Sequence, residues 1–364
     1  MPVGGRGLRI AQVSPLSESV PPRLYGGTER VVSYLTEALF AAGHDVTLFA
    51  SGDSTTSARL VAGCPRSLRL DPTCRDPLAH HVTLVHEVMR RAQEFDLIHF
   101  HVDYVHYPLV ERVSVPTLTT LHGRLDIPDL VPLYRSFRHV PVISISDAQR
   151  RPLPWLNWRG TVHHGLPSGL HRYHGAPGGY LVFLGRISPD KRPDRAIEIA
   201  RHVGLPLKIS AKVDAADREY FTTTVKPLLD NPGTEFLGEI GEAEKGDLLG
   251  NARALLFPID WPEPFGLVLI EALACGTPII AFPHGAVPEI VEDGVNGFLV
   301  DSVEEAAAAV ARVDEIDRRR CRETFERRFT AAHMARRYLA LYREAARPAT
   351  FAGDQGSVPW KTTS

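Results

Sequence analysis

Lysine is scarce in this chain of 364 residues: the first is Lys191, and arginine supplies nearly all the positive charge, a bias read here as coding preference and not chemistry. Cysteine is scarcer. Cys64, Cys74, Cys275 and Cys321 form no C-x-x-C pair and are too few for a disulfide framework, so reduced structural thiols are expected, with a Cys64–Cys74 bridge as the alternative. Net charge is nearly absent, with 41 Lys+Arg against 43 Asp+Glu. That leaves no basic field for a polyanion and disfavours nucleic acid as a partner. Long apolar runs are missing too: stretches such as 254–258 and 277–282 fall far short of the roughly 20 residues a membrane-spanning helix needs. Residues 1–9 are Gly-rich with no apolar segment, so secretion is not signalled and a cytoplasmic location is expected. No G-x-G-x-x-G string occurs, which removes the main sign of a dinucleotide dehydrogenase.

What is present is the composition of a globular protein, 44% hydrophobic and 23% charged. The length suggests two domains at roughly 150 residues each. Strand and helix signals alternate in two runs. The first has short apolar strands at 8–13, 45–50, 96–100, 117–121 and 140–144. Between them lie a helix capped by Thr28 and closed by Gly43, and a second helix at 78–92. Asp147 begins a short helix that Pro152 and Pro154 interrupt. The second run has strands at 180–184, 207–211, 235–237, 254–257 and 278–281, with helices at 193–203, 217–229, 243–251 and 266–275. Such alternation argues for right-handed βαβ units and a parallel sheet, twice over. A hinge is expected at 165–179, helices at 303–313, 316–329 and 332–346, and a disordered tail at 347–364. The expected division is an N-terminal domain at 1–165, completed by a crossover helix at 332–346, and a C-terminal domain at 166–331. Ligands of such sheets sit beyond the carboxyl ends of the strands.

Three constellations fall there. The densest is W-P-E-P-F-G-L-V-L-I-E-A, Trp261 to Ala272. Glu263 lies between two prolines beside a helix N-terminus, where a carboxylate and free N–H groups can grip hydroxyls and an anion. Glu271, eight residues on in an apolar helix, must be paired or hydrogen-bonded to be buried. The second constellation is Gly185-Arg186-Ile187-Ser188-Pro189-Asp190-Lys191, between a strand and a helix. Arg186 suits bidentate phosphate binding, Lys191 is a point charge, and Asp190 is placed to orient it. The third is Tyr25-Gly26-Gly27-Thr28-Glu29, whose glycines permit close approach of backbone to a phosphate.

Together with Cys275-Gly-Thr-Pro, Gly285-Ala-Val-Pro-Glu289 and Asp293-Gly-Val-Asn-Gly-Phe298, these motifs resemble the retaining family 4 glycosyltransferases, also called glycosyl transferases group 1. The resemblance implies an α/β protein of GT-B architecture, two Rossmann-like domains whose parallel sheets face a central cleft. It implies that Arg186 and Lys191 hold the donor diphosphate and that Gly26 and Gly27 let the first loop approach it. It assigns Glu271 to the ribose, and Glu263 with the backbone of Phe265, Gly266 and Leu267 to the transferred sugar. His122 is placed near that sugar and Ile240 near the nucleobase. The implied partners are a nucleotide-diphosphate sugar, UDP-glucose-like as a first guess, and a hydroxyl acceptor of unknown identity. Tyr25, His101, Asp103 and Tyr104 are expected on the acceptor side.

No cofactor and no metal are expected. The 16 histidines include His99-x-His101 and the adjacent pairs His80-His81 and His163-His164, yet none stands at a metal-ligand spacing with Cys or a carboxylate, and no D-x-D string occurs. The resemblance therefore implies a metal-independent retaining transfer in which a diphosphate oxygen serves as base. A sugar-nucleotide 2-epimerase of the same fold, a phosphorylase and a non-catalytic sugar-nucleotide-binding protein are the alternatives.

Overall fold

The computed structural model describes residues 7–230 and 232–346. The tail expected at 347–364 lies outside them. The first unit contains β1 (Arg9–Val13), α1 (Gly27–Ala41), β2 (Asp45–Ser51), β3 (Arg59–Cys64), α2 (Pro77–Arg90), β4 (Leu97–Phe100), β5 (Thr117–Thr120), α3 (Leu130–Ser136), β6 (Val142–Ser144) and β7 (Trp158–Thr161). The second opens with β8 (Leu181–Arg186), α4 (Pro193–Val203) and β9 (Leu207–Lys212). Then come α5 (Arg218–Tyr220), α6 (Lys226–Leu229), β10 (Thr234–Gly238), α7 (Glu242–Gly250), β11 (Ala254–Phe257), α8 (Leu267–Cys275) and β12 (Ile279–Ala281). It closes with α9 (Val287–Ile290), β13 (Gly297–Leu299), α10 (Val303–Arg312) and α11 (Arg318–Arg328), after which α12 (Ala331–Ala345) returns to the first unit.

Each unit is built on one parallel sheet, ordered β3-β2-β1-β4-β5-β6-β7 and β10-β9-β8-β11-β12-β13. The central strands carry apolar runs buried on both faces, as β11 does at all four residues, which is what a sheet covered on two sides requires. In both sheets the order reverses beside the first strand, the point where a crevice opens at the carboxyl ends. The two units therefore present their strand ends to one cleft. This is the GT-B architecture that the motifs implied.

The chain crosses between the units twice, and the two crossings are stapled. Leu166 N donates to Phe329 O at 2.9 Å and Ala331 N to Leu166 O at 2.7 Å. A Cβ at Gly165 would stand 2.3 Å from Thr330 O, so only glycine lets the two backbones meet there. Beyond this point α12 packs on α1 of the first unit.

Several local expectations need correction. Thr28 does not cap α1: the helix begins at Gly27, and Gly26 is its N-cap with φ +147°. A Cβ on Gly26 would also come within 2.8 Å of Pro22, so the residue type is set by conformation and crowding together. Strands β3, β7 and β13 and helices α3 and α9 have no counterpart among the expected elements. The strands β3 (R-L-V-A-G-C) and β7 (W-R-G-T) lie at the first sheet's edges, where one neighbour suffices and no apolar run is needed. The helix expected after Asp147 is a single 3₁₀ turn, Ala148–Arg150. All four cysteines are free, with no Cys64–Cys74 bridge.

Candidate active site

The cleft between the two units is a cavity of about 720 Å³. Its C-terminal wall is charged. Arg186 ends β8 and reaches Asp217 at 3.4 Å and Asp214 at 3.8 Å. Lys191, in the turn before α4, pairs through Nζ with Oε2 of Glu263 and sits over the Trp261 ring at 5.1 Å. Trp261 Nε1 donates to the same carboxylate at 3.0 Å. Asp190 does not orient Lys191 as expected; its carbonyl accepts from Asp260 N at 2.9 Å. Glu263 is 8% exposed. Gly285 explains how it is seated: a Cβ there would lie 2.3 Å from the Glu263 backbone, and Ala286 N donates to Glu263 O at 2.9 Å. The glycine of the G-A-V-P-E motif is thus the floor under Glu263.

Gly266 then adopts φ +88° and opens α8, whose N-terminus with Phe265 and Leu267 faces the cavity. Glu271 follows inside α8 at 2% exposure. Its pairing requirement is met by Lys245 of α7, whose Nζ lies 2.8 Å from Oε1. Burial alone would raise this carboxyl, but Lys245, His171 and Arg30 outweigh it and hold it below the usual carboxylate range. Arg30, from α1 of the first unit, pairs with Glu242 of α7 and so closes an ion network across the cleft. Ile240 also lines the cavity. The lysines have a placement that composition concealed: Lys191, Lys212 and Lys245 all line this cleft.

The N-terminal wall mixes charged side chains, Glu29, Arg30, Arg69 and Arg124, with glycines and histidines. Gly26, Gly27, Tyr25, Asp103 and His122 line it, and Tyr25 is 45% exposed with Lys212 over its ring at 5.0 Å. Two expectations fail here. His101 is 2% exposed, lies behind the cleft surface and hydrogen-bonds His122 Nε2 through Nδ1 at 2.9 Å. Tyr104 does not line the cavity but packs edge-on against Tyr134 at 6.4 Å. His122 stacks on His164, with ring centroids 5.3 Å apart, and desolvation pushes its imidazole down to about 3. It is neutral at any ordinary pH.

The sequence reading missed Lys245, Arg30, Glu242 and Gln12. Lys245 carried a signal, being one of few lysines and lying three residues after Glu242 on one helix face. It missed a further juxtaposition: His171, Glu242 and Glu271, far apart in sequence, bring one ligand atom each within 4.8 Å of one another. Lys245 and Arg30 already neutralise both carboxylates, so the donor set suits an internal ion network better than a cation.

The family model for glycosyl transferases group 1 matches residues 176–328, and that for glycosyltransferase family 4 matches residues 25–159. Glycogen synthase of Mycobacterium tuberculosis is 25% identical over 94% of this chain and 97% of its own length. Phosphatidyl-myo-inositol mannosyltransferase of Mycobacterium leprae is 25% identical over 84% of this chain and 87% of its own. The crystal structure of Anabaena HepE in complex with UDP and glucose superposes with a TM-score of 0.72 at 18% identity, covering 93% of this chain and all of that one. With the two units matched in turn, this chain belongs to the family 4 glycosyltransferases, the glycosyl transferases group 1, and is a glycosyltransferase of GT-B fold.

Proposed function

We propose that this enzyme moves a sugar from a nucleotide-diphosphate donor, a UDP-sugar in the first instance, to a hydroxyl acceptor, with retention of anomeric configuration and without a metal. The observation that carries the reading is the C-terminal wall. Arg186, Lys191 and the α8 N-terminus converge on the cavity that Glu263 and Glu271 also face. Breaking a glycosyl–phosphate bond puts negative charge on the departing diphosphate and positive charge on the anomeric carbon. Two fixed cations and a helix N-terminus meet the first. Glu263 holds hydroxyls of the moving sugar, Glu271 those of the ribose, and Ile240 lies against the base. Both carboxylates are held by lysines in the free enzyme, so the donor enters by taking over Lys245 and Lys191 contacts already in place. The acceptor attacks from the face the diphosphate leaves, and a diphosphate oxygen takes its proton. The UDP and glucose held by Anabaena HepE support the choice of donor.

The test is incubation with UDP-glucose in excess EDTA, followed by NMR of the product's anomeric configuration. Transfer with retention is expected. Loss of turnover with EDTA, restored by Mg²⁺ or Mn²⁺, would remove metal independence. Inverted product would remove retention, and isomerised or phosphorolysed donor would favour the epimerase or phosphorylase alternatives.

A further inference from the structure

Behind the N-terminal wall lies a group of polar side chains that the donor site does not use. Gln12, His99, His101, Thr120, Tyr338 and Tyr342 are each 2% exposed or less. They form one unbranched hydrogen-bonded chain that begins at His122 on the cleft. His122 Nε2 lies 2.9 Å from His101 Nδ1, and His101 Nε2 lies 2.8 Å from Gln12 Oε1. Gln12 Nε2 is 3.0 Å from Tyr342 Oη, which is 2.7 Å from His99 Nδ1. His99 Nε2 then meets Thr120 Oγ1 at 2.8 Å, and Thr120 Oγ1 meets Tyr338 Oη at 3.0 Å.

The direction of this chain follows from one residue. A hydroxyl reverses by rotating its O–H, and a neutral imidazole by moving a ring proton. A carboxamide does neither: its oxygen only accepts and its nitrogen only donates. With Oε1 of Gln12 facing His101, the proton of His101 must sit on Nε2. That ring is neutral, so its Nδ1 is bare and accepts the proton of His122 Nε2. His122 is left with a bare Nδ1, which is buried and has no partner among the described residues. On the other side Gln12 donates to Tyr342, Tyr342 to His99 and His99 to Thr120. Each bond from His122 as far as Thr120 runs away from the cleft. Turning the Gln12 amide over would reverse all of them and place a proton on His122 Nδ1.

We propose that Gln12 and His101 are positioning residues that hold His122 as its Nε2–H tautomer, so that His122 meets a hydroxyl of the bound donor sugar as a hydrogen-bond acceptor through Nδ1. The second half rests on the functional reading above; the first does not. Tyr342 anchors the amide from α12, so the last helix of the chain acts on a cleft histidine.

The tautomer is read directly from two-bond ¹H–¹⁵N spectra of ligand-free protein labelled with ¹⁵N-histidine, with the His122 signal assigned by His122→Gln. Wild type should show Nε2–H. Gln12→Glu removes the amide donor and places a carboxylate beside His101, which then carries protons on both nitrogens and donates through Nδ1. His122 should switch to Nδ1–H. Tyr342→Phe, which adds no charge, frees the amide to turn over and should give a mixture of tautomers. Calorimetry with UDP-glucose and with UDP completes the test. Gln12→Glu should weaken UDP-glucose about tenfold, the effect of one charge-free hydrogen bond lost, and leave UDP unchanged. An Nδ1–H wild type, or a tautomer indifferent to both variants, overturns the proposal. A switched tautomer with unchanged UDP-glucose affinity overturns the positioning role. A wild type that binds neither UDP-glucose nor UDP defeats the functional reading itself and is seen without any variant.

Discussion

The two walls of the cleft solve opposite problems. The C-terminal wall is made of paired ions: Lys191 with Glu263, and Lys245 with Glu271. The N-terminal wall is backed by neutral groups that desolvation keeps neutral, His99, His101, His122 and His164 all lying below their ordinary pKa. Ion pairs that exchange partners suit a charged leaving group. Neutral, directional hydrogen bonds suit a sugar whose hydroxyls must be oriented without attracting the diphosphate. The lysine–carboxylate pairs and the buried histidines lie in different domains, so each set can be disturbed separately.

The largest expected disturbance is acid. The imidazoles of His106 and His122 are pushed down to about 3, and those of His99, His101 and His164 also fall. In the unfolded chain they titrate near the ordinary ~6.5. Their folded pKa is depressed, so the unfolded state takes up protons first and stability is lost as pH falls from about 6.5 towards 3. The loss approaches about 1.4 kcal/mol per histidine per pH unit. Scanning calorimetry between pH 7 and pH 5 should show Tm dropping steeply, and a flat Tm over that window would mean that these rings are not held neutral.

Next is the charged wall. Lys191→Ala removes one built-in cation and leaves Glu263 with the Trp261 Nε1 hydrogen bond, and at roughly 1.5–3 kcal/mol kcat should fall about tenfold to a couple of hundredfold. A variant with unchanged kcat would take Lys191 out of the diphosphate site.

The two carboxylates then divide binding from chemistry. Glu271→Ala should raise the donor KM about tenfold and weaken UDP, because ribose contacts are the same in ground and transition states. Glu263→Ala should mainly lower kcat and leave UDP affinity alone, since UDP carries no sugar to hold. Calorimetry with UDP decides it; loss of UDP binding in Glu263→Ala but not in Glu271→Ala inverts the two roles.

Smallest is the strap across the cleft. Arg30→Ala breaks the pair with Glu242, which retains Lys245, so about 1 kcal/mol of stability should be lost, with little dependence on salt because Arg30 is buried. An effect that falls steeply with salt would mean that the pair is open to solvent.

Much of this was legible in residue order. The motif from Trp261 to Glu271 is local: prolines, a left-handed glycine and an apolar helix fix its geometry within a dozen residues, and it pointed to the cleft wall directly. Buried central strands announced both sheets because their apolar runs are continuous. Edge strands β3 and β7 did not, since pairing on one side spares them that pattern. Lys245 was overlooked because its carboxylate partner lies 26 residues away on another helix.

The N-terminal wall was decided by tertiary structure alone. His101 follows a strand end and read as a cleft residue, yet whether such a residue faces solvent depends on the loops folded over it, and here it is covered. Gln12 and Tyr342 stand 330 positions apart and meet only because α12 crosses back onto the first unit. Nothing local marks a glutamine as the residue that orders protons in five others. A sequence can specify charge, periodicity and turns because each is set by near neighbours. Which buried donor faces which acceptor is set by the packing of distant elements, and it follows only once both sheets and the last helix are in place.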